Sequence, residues 1–216
     1  MLKDWILKIK NNSHFFCSDD WKYRISGNIL EFSVAPQLIN QLREYRCAVI
    51  TIGQILRSLS NKAEKLGSAY IIQSFPSLGA PEIIATIRVE DRVESSENPF
   101  PTLKKELFNY SGEDRLRAIA NTYDFDVVKT ERPLETNLDF QSFENKTWFI
   151  ITSKQDNPFT WLKLGNWKES MQYIDASMIK MESIYIFDLC SLEKWAQIKL
   201  RFLVEDHLQA LIAINN

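Results

Sequence analysis

Histidine and cysteine are scarce in this sequence, and their scarcity narrows the chemistry open to the chain. The 216 residues include 2 histidines, His14 and His207, and 3 cysteines, Cys17, Cys47 and Cys190. The cysteines are odd in number, far apart and in no Cys-x-x-Cys arrangement, which argues against a disulfide framework and a zinc site. The aromatic and acidic residues around His14 and Cys17 indicate a helix exit and a turn, so a nucleophilic pair is not expected there. We predict reduced, structural cysteines and no metal.

Long apolar runs and basic stripes are missing as well. Nowhere do about eighteen apolar residues follow one another, which excludes a typical membrane-spanning helix. The N-terminal segment is interrupted by charges and does not have the form of a signal peptide. The formal net charge is −2, with lysine and arginine scattered among the acids, so a nucleic-acid surface is not expected. We therefore expect a cytoplasmic protein.

The sequence also contains none of the short motifs that identify common active sites. Glycine-rich phosphate loops, a nucleophile elbow and an HExxH helix are all absent. Paired carboxylates could act as acid and base if a cleft raised one pKa, although solvated or helix-capping acids are the ordinary interpretation. Such pairs are Asp19 and Asp20, Glu113 and Asp114, and Asp124 and Asp126.

What is present indicates one α+β domain over residues 1–216. Hydrophobic residues make up 45% and charged residues 25% of the chain, which is typical of a globular protein and excludes global disorder. A polar segment rich in proline begins near Asp91, and we expect an excursion or lid over about 91–141. Within it, Glu113 to Tyr123 has helical periodicity, and most of Asp124 to Gln141 is predicted as loop.

The first part of the chain predicts a helix, a hairpin, a long helix and a strand pair. Apolar residues recur at helical spacing from Leu2 to Lys10 and from about Gln41 to Leu66, where Gly67 suits a helix end. Alternation with period two predicts strands on both sides of a Gly27-Asn28 turn. The next two strands are predicted at Ala69 to Gln73 and Ile83 to Val89.

The last third of the chain predicts a strand, a second long helix and further strands. A strand is predicted at Trp148 to Thr152, and a helix from Pro158 to about Met181, whose apolar face is typical of a core or a dimer contact. Ser191 is a candidate helix cap. Strands are predicted at Ile184 to Phe187 and Leu208 to Ile214, the latter buried on both faces.

Several of these segments, taken in order, resemble the Acg-like branch of the nitroreductase superfamily. The first half matches through a Trp21-initiated hairpin, Arg43-Glu44, the helix segment Thr51 to Leu56, Leu66-Gly67 and Phe75-Pro76. Near the C-terminus, Thr152, Asp156 and Trp161-Leu162-Lys163-Leu164-Gly165 are similar to that group's threonine, aspartate and tryptophan-bearing helix start. The matches cover roughly two-thirds of the chain.

The resemblance implies a nitroreductase-like fold, with a central mixed sheet flanked by long helices that form a homodimer interface. It implies FMN as cofactor, bound where two subunits meet. It also implies hydride transfer from NAD(P)H to small aromatic acceptors such as nitroaromatics and quinones.

Three of the family's flavin anchors do not match this sequence. Where the family has an arginine-rich element near the N-terminus, this chain offers only Lys3, Lys8 and Lys10. Where amides precede the hairpin tryptophan, Asp19 and Asp20 stand here, and the arginine of the last strand corresponds to a place near Ala213. A buried phosphate without cationic or N–H partners costs several kcal/mol, so the site is predicted to be degenerate.

Two functions remain open from the sequence. The first is an FMN-dependent NAD(P)H oxidoreductase in which Lys22 and Arg24 replace the phosphate ligands, with no catalytic residue assigned. The second is a non-catalytic homodimer that is flavin-free or sequesters a ligand, since a fold does not fix a function. An unrelated α+β protein is a third interpretation.

Overall fold

The structure is a computed structural model that describes residues 2–11, 19–90, 98–101, 110, 112–130, 146–177, 184–187 and 205–215. In these ranges the chain forms four α-helices, a short 3-10 helix and eight strands. The α+β class is therefore confirmed. The proposed cap at Ser191, the pair His14 and Cys17, and the end of the second long helix beyond Ser177 lie outside the described residues.

The first sheet has four antiparallel strands in the order β1-β2-β4-β3. Helix α1 (Leu2–Asn11) precedes the predicted hairpin, which consists of β1 (Trp21–Ser26) and β2 (Ile29–Val34). Gly27 occupies the turn with φ +61°, a conformation that glycine adopts without steric cost. The other two strands are β3 (Ala69–Ser74) and β4 (Ile83–Glu90).

One face of this sheet is buried and the other is open to solvent. In β2, Leu30, Phe32 and Val34 are buried, while the alternate residues are exposed or half-buried. The long helix α2 (Leu42–Lys65) follows the hairpin after a 3-10 helix over Pro36–Asn40 and buries most of its residues. Its β-branched first half is helical, as its length and periodicity predicted.

The second sheet is also antiparallel, with the order β5-β6-β8-β7. Helix α3 (Gly112–Thr122) comes first, followed by β5 (Asp126–Thr130) and β6 (Lys146–Ser153). Helix α4 (Pro158–Ser177) leads to β7 (Ile184–Phe187) and β8 (His207–Asn215). Leu208 to Ile214 are all buried, which confirms the prediction of a terminal strand buried on both faces.

The described sheets differ from the sequence expectation at two points. The described strands form two antiparallel sheets where a central mixed sheet was expected. The segment predicted as loop after Asp124 contains β5, whose Val127 and Val128 pair with Ile151 and Ile150 of β6. Strand β5 has five residues, of which one is buried, so its hydrophobic periodicity is too weak to predict a strand from the sequence. Pairing with β6 is what stabilises it.

The element order repeats along the chain. Helix, two strands, long helix and two strands occur first as α1 to β4 and then as α3 to β8. Each sheet places its fourth strand between its second and third. The same local topology is thus built twice from sequences that share little obvious similarity.

The two long helices approach each other closely at a pair of glycines. A Cβ added to Gly53 of α2 would overlap the carbonyl oxygen of Leu162 and lie 3.1 Å from the amide nitrogen of Asn166. A Cβ added to Gly165 of α4 would overlap the carbonyl oxygen of Ile50. The absence of side chains at both positions is what allows backbone to contact backbone here.

The chain divides into two compact units. The first comprises Met1–Pro101 and Trp161–Glu169, and the second Thr102–Thr160 and Ser170–Asn216. Helix α4 therefore contributes its middle segment to the first unit and its ends to the second. The described part of the expected excursion over 91–141 includes α3 and β5, and β5 is an integral strand of the second sheet.

Among the described helices, none combines the length and the hydropathy required to cross a membrane.

Candidate functional site

Lys22 and Arg24, the two candidate phosphate ligands, lie on the open face of the first sheet. Both alternate with inward-facing residues of β1 and are exposed. The Arg24 side chain is 75% exposed and forms an ion pair with Glu31 of β2, with 3.2 Å between Nη2 and the carboxylate. A cation that is already paired with a cross-strand acid and surrounded by water is poorly placed to hold a cofactor phosphate.

The groove on the open face of this sheet is too small for a flavin. A shallow groove of about 120 Å³ crosses the open face of the sheet, and neither Lys22 nor Arg24 lines it. Small-molecule sites usually measure about 300–1,000 Å³ and enclose most of their ligand. The groove is lined by Ile29, Ile71, Gln73, Thr86 and Arg88.

The position that corresponds to the family's last-strand arginine, Ala213, is buried in close-packed surroundings. Ala213 is fully buried in β8, where it pairs with Trp148 of β6 on one side and Tyr185 of β7 on the other. Trp148 is itself 2% exposed. A longer cationic side chain would have to enter a close-packed strand interior.

The remaining sequence candidates are exposed or already engaged in ion pairs and ring contacts. Lys3, Lys8 and Lys10 are exposed on α1, and Lys10 stacks its ammonium over the Trp21 ring at 5.6 Å. Glu113 is paired with Arg117 at 2.7 Å and lies 3.7 Å from Lys129. Asp19, Asp20 and Asp126 are exposed. Within the described ranges, no three histidine, cysteine, aspartate or glutamate side chains come together as a metal site.

A different polar constellation, which the sequence reading missed, lies inside the first unit. We call it the buried polar stripe, which consists of the buried residues Gln54, Arg57 and Asn61 and the half-buried Ser58; the four follow one face of α2 at helical spacing. Gln54 is fully buried, Arg57 is 6% exposed and Asn61 is 7% exposed. Arginine at such depth is rare unless a partner compensates its charge.

Glu169 of α4 faces this stripe. The Ser58 hydroxyl donates a hydrogen bond of 2.5 Å to its carboxylate. Burial raises the pKa of Glu169 above its usual value, and the Ser58 hydrogen bond and the charges of Arg57 and Lys168 only partly oppose that rise. The site thus contains a carboxyl group whose burial favours the neutral form, close enough to the Arg57 guanidinium to be affected by its charge.

The raised pKa of Glu169 predicts a pH dependence of stability. A carboxyl with a raised folded-state pKa stabilises the fold below its unfolded value of 4.5, and loses that contribution as the pH rises through the folded pKa. We expect Glu169→Gln to remove this dependence, because the amide keeps the shape and cannot ionise. Urea unfolding at several pH values from 4.5 to 8 measures the difference between the two proteins.

Glu31→Gln is the matched control, since it removes a carboxylate that forms an exposed ion pair. Its stability difference from wild type should change little over the same window. If wild type and Glu169→Gln have parallel stability profiles between pH 4.5 and 8, the assignment to Glu169 is wrong.

A second hydrogen-bonded group continues the polar region toward β3. The Tyr70 hydroxyl donates to the Glu64 carboxylate at 2.6 Å and accepts from the Asn98 amide at 3.3 Å. Burial and the Glu64 carboxylate raise the pKa of Tyr70 to about 12, against the opposing effects of Ser60 and Arg57. Tyr70 is therefore neutral in the physiological range and acts as a hydrogen-bonding group.

The chain matches no family model, and no curated protein matches it.

Proposed function

We propose that this chain is a nitroreductase-like protein with a degenerate flavin site, and that it does not perform FMN-dependent hydride transfer. The proposal combines the sequence resemblance with one observation that carries it: neither Lys22 nor Arg24 lies in an enclosed site. Both lie on an open sheet face, and Arg24 is engaged by Glu31.

The physical reason is the charge of the FMN phosphate. A phosphate at neutral pH carries nearly two negative charges and needs guanidinium, ammonium or backbone N–H donors aimed at one point. The three lysines of α1 are exposed, and Ala213 occupies a buried strand position. These residues cannot provide the usual anchor, so the flavin loses several kcal/mol of binding free energy.

The competing function is an FMN-dependent NAD(P)H oxidoreductase, which the resemblance alone favours. An absorbance spectrum of freshly purified protein separates the two. We expect no flavin bands in the visible range after expression in medium supplemented with riboflavin. Stoichiometric flavin absorbance together with NAD(P)H oxidation would establish the enzyme instead.

The homodimer and the cytoplasmic location remain predictions. The resemblance places the long helices between two subunits, whereas Gly53 of α2 and Gly165 of α4 meet within one chain. That crossing within one chain buries part of the helix surface that a second subunit was expected to cover.

A further inference from the structure

The contact between the two glycines of α2 and α4 is reciprocal. A Cβ on Gly53 would meet the Leu162 carbonyl and the amide of the residue after Gly165, and a Cβ on Gly165 would meet the Ile50 carbonyl and the amide of the residue after Gly53. The equivalent residues are 112 positions apart: Ile50 and Leu162, Gly53 and Gly165, and Gln54 and Asn166. All six belong to the first unit. Reciprocal contacts of this kind are the pattern of a two-fold symmetric interface.

Around these glycines the sequences of the two helices match in the same register. Each glycine follows an apolar residue and precedes an amide, and the next positions repeat an apolar residue, a serine and a further apolar residue. The further equivalent pairs are Ile52 and Leu164, Ile55 and Trp167, Ser58 and Ser170, and Leu59 and Met171. The apolar members of these pairs and both amides are buried. Each helix also has the same place in the repeated order of helix, two strands, helix and two strands.

One equivalent pair in this register carries opposite charges, Arg57 in α2 and Glu169 in α4. The two are close together, because the Ser58 hydroxyl donates to the Glu169 carboxylate at 2.5 Å and the charge of Arg57 partly opposes the rise that burial causes in the pKa of Glu169. Lys168 acts on the same carboxylate, and Arg57 also acts on the Tyr70 hydroxyl. In a two-fold contact, a residue that lies beside its own equivalent is close to the symmetry axis.

Opposite charges at such a position decide which helices can pair. If α2 paired with α2 of a second copy of the chain in the same geometry, Arg57 would face Arg57. If α4 paired with α4, Glu169 would face Glu169. Both arrangements bring like charges together in a poorly solvated contact, which is strongly unfavourable. Only the pairing of α2 with α4 joins a guanidinium to a carboxylate.

We infer that α2 and α4 are two repeats of one self-pairing helix joined in a single chain, and that Arg57 opposite Glu169 makes α2 pair with α4 and not with its own equivalent in a second copy. The inference does not depend on the proposed function, because these residues take no part in the flavin anchors. A homodimer of this chain would then use a different surface.

The first test exchanges the two charges in the full chain. We expect Arg57→Glu and Glu169→Arg each to lower the urea midpoint at pH 8 by about 1–2 M, because each places two like charges in the contact. The double variant should recover at least half of the combined loss. Arg24→Glu and Glu31→Arg make the same exchange in an exposed ion pair, and their midpoints should stay within about 0.3 M of wild type.

The second test asks whether the coupling between the two positions is electrostatic. A coupling between charges requires ionised carboxylates, so it should shrink when the four unfolding curves are repeated at pH 4.5. A contact that depends on shape alone would give the same coupling at both pH values.

A neutral set of variants carries the test if the reversed variants do not fold. Glu169→Gln leaves Arg57 without its opposing charge, and adding Arg57→Met removes that charge while keeping much of the side-chain volume. We therefore expect the double variant to have a higher urea midpoint at pH 8 than Glu169→Gln alone.

Four results would overturn the inference. These are additive losses in the exchanged double variant, a coupling that is unchanged at pH 4.5, a neutral double variant no more stable than Glu169→Gln, and a crystal structure in which α2 packs against α2 of a second copy at Gly53.

Discussion

Gly53→Ala is expected to lower the free energy of unfolding by about 2–3 kcal/mol, although alanine is the better helix former. The added methyl would overlap the Leu162 carbonyl oxygen and lie 3.1 Å from both the Asn166 nitrogen and the Gly165 Cα. All three are backbone atoms, so no side-chain rotation relieves the overlap and the helices must move apart. Chemical denaturation measures the loss.

The sign of the effect makes this result informative. In an exposed helix, replacing glycine with alanine stabilises by up to about 1 kcal/mol, so a destabilisation can only come from the helix crossing. Gly165→Ala should behave similarly, because its methyl would overlap the Ile50 carbonyl oxygen.

Gly79→Ala is the control, since a Cβ there would meet only the Ser77 hydroxyl, at 3.9 Å. Its stability should stay within about 0.5 kcal/mol of wild type. A stabilised Gly53→Ala protein would show that the helices do not cross at these glycines.

Tyr123→Ala is expected to destabilise the second unit by about 3–5 kcal/mol, the range found for removal of a large buried aromatic ring. Tyr123 is fully buried, and its ring stacks on Phe125 with 6.5 Å between centroids and 3° between planes. Its hydroxyl lies 2.9 Å from the Ser170 hydroxyl, a hydrogen bond that ties the end of α3 to α4. Unfolding monitored by circular dichroism tests the size of the effect.

Tyr123→Phe separates the ring from the hydroxyl. It keeps the stacking and removes one buried hydrogen bond, so a loss of about 1–2 kcal/mol is expected. If Tyr123→Ala and Tyr123→Phe cost the same, the ring contributes nothing and the packing described for this unit is incorrect.

The elements that the sequence predicts well are those with a strong internal pattern. The hairpin around Gly27, α2 up to Gly67 and the terminal strand each combine a clear hydrophobic period with a suitable turn or cap. Strand β5 and the division into two antiparallel sheets depend on pairing between distant segments. The pairing of Val127 with Ile151, for example, cannot be predicted from the residues next to either one in the sequence.

The glycine crossing was only partly visible in the sequence. Gly53 and Gly165 each stand inside an apolar helical pattern, which marks a position where something approaches closely. That the two glycines meet each other is a tertiary fact, and no period or spacing encodes it.

The same contrast between local sequence signals and tertiary packing applies to the candidate sites. Lys22 and Arg24 could be chosen by charge and position, but the orientation of β1 and the partner Glu31 decide that they face solvent. The buried polar stripe could have been suspected from Gln54, Arg57 and Asn61, which recur at helical spacing on α2. Polar residues at that spacing normally indicate a solvated face, and only the packing reverses that interpretation.

Thermal unfolding with and without excess FMN tests the central claim most directly. A folded-state ligand at 100 times its Kd stabilises by about 2.7 kcal/mol, so a functional flavin site cannot escape detection. We predict an unchanged Tm in millimolar FMN and a protein that stays colourless after removal of free flavin. A saturable rise in Tm, with flavin absorbance that remains with the protein, would contradict the account.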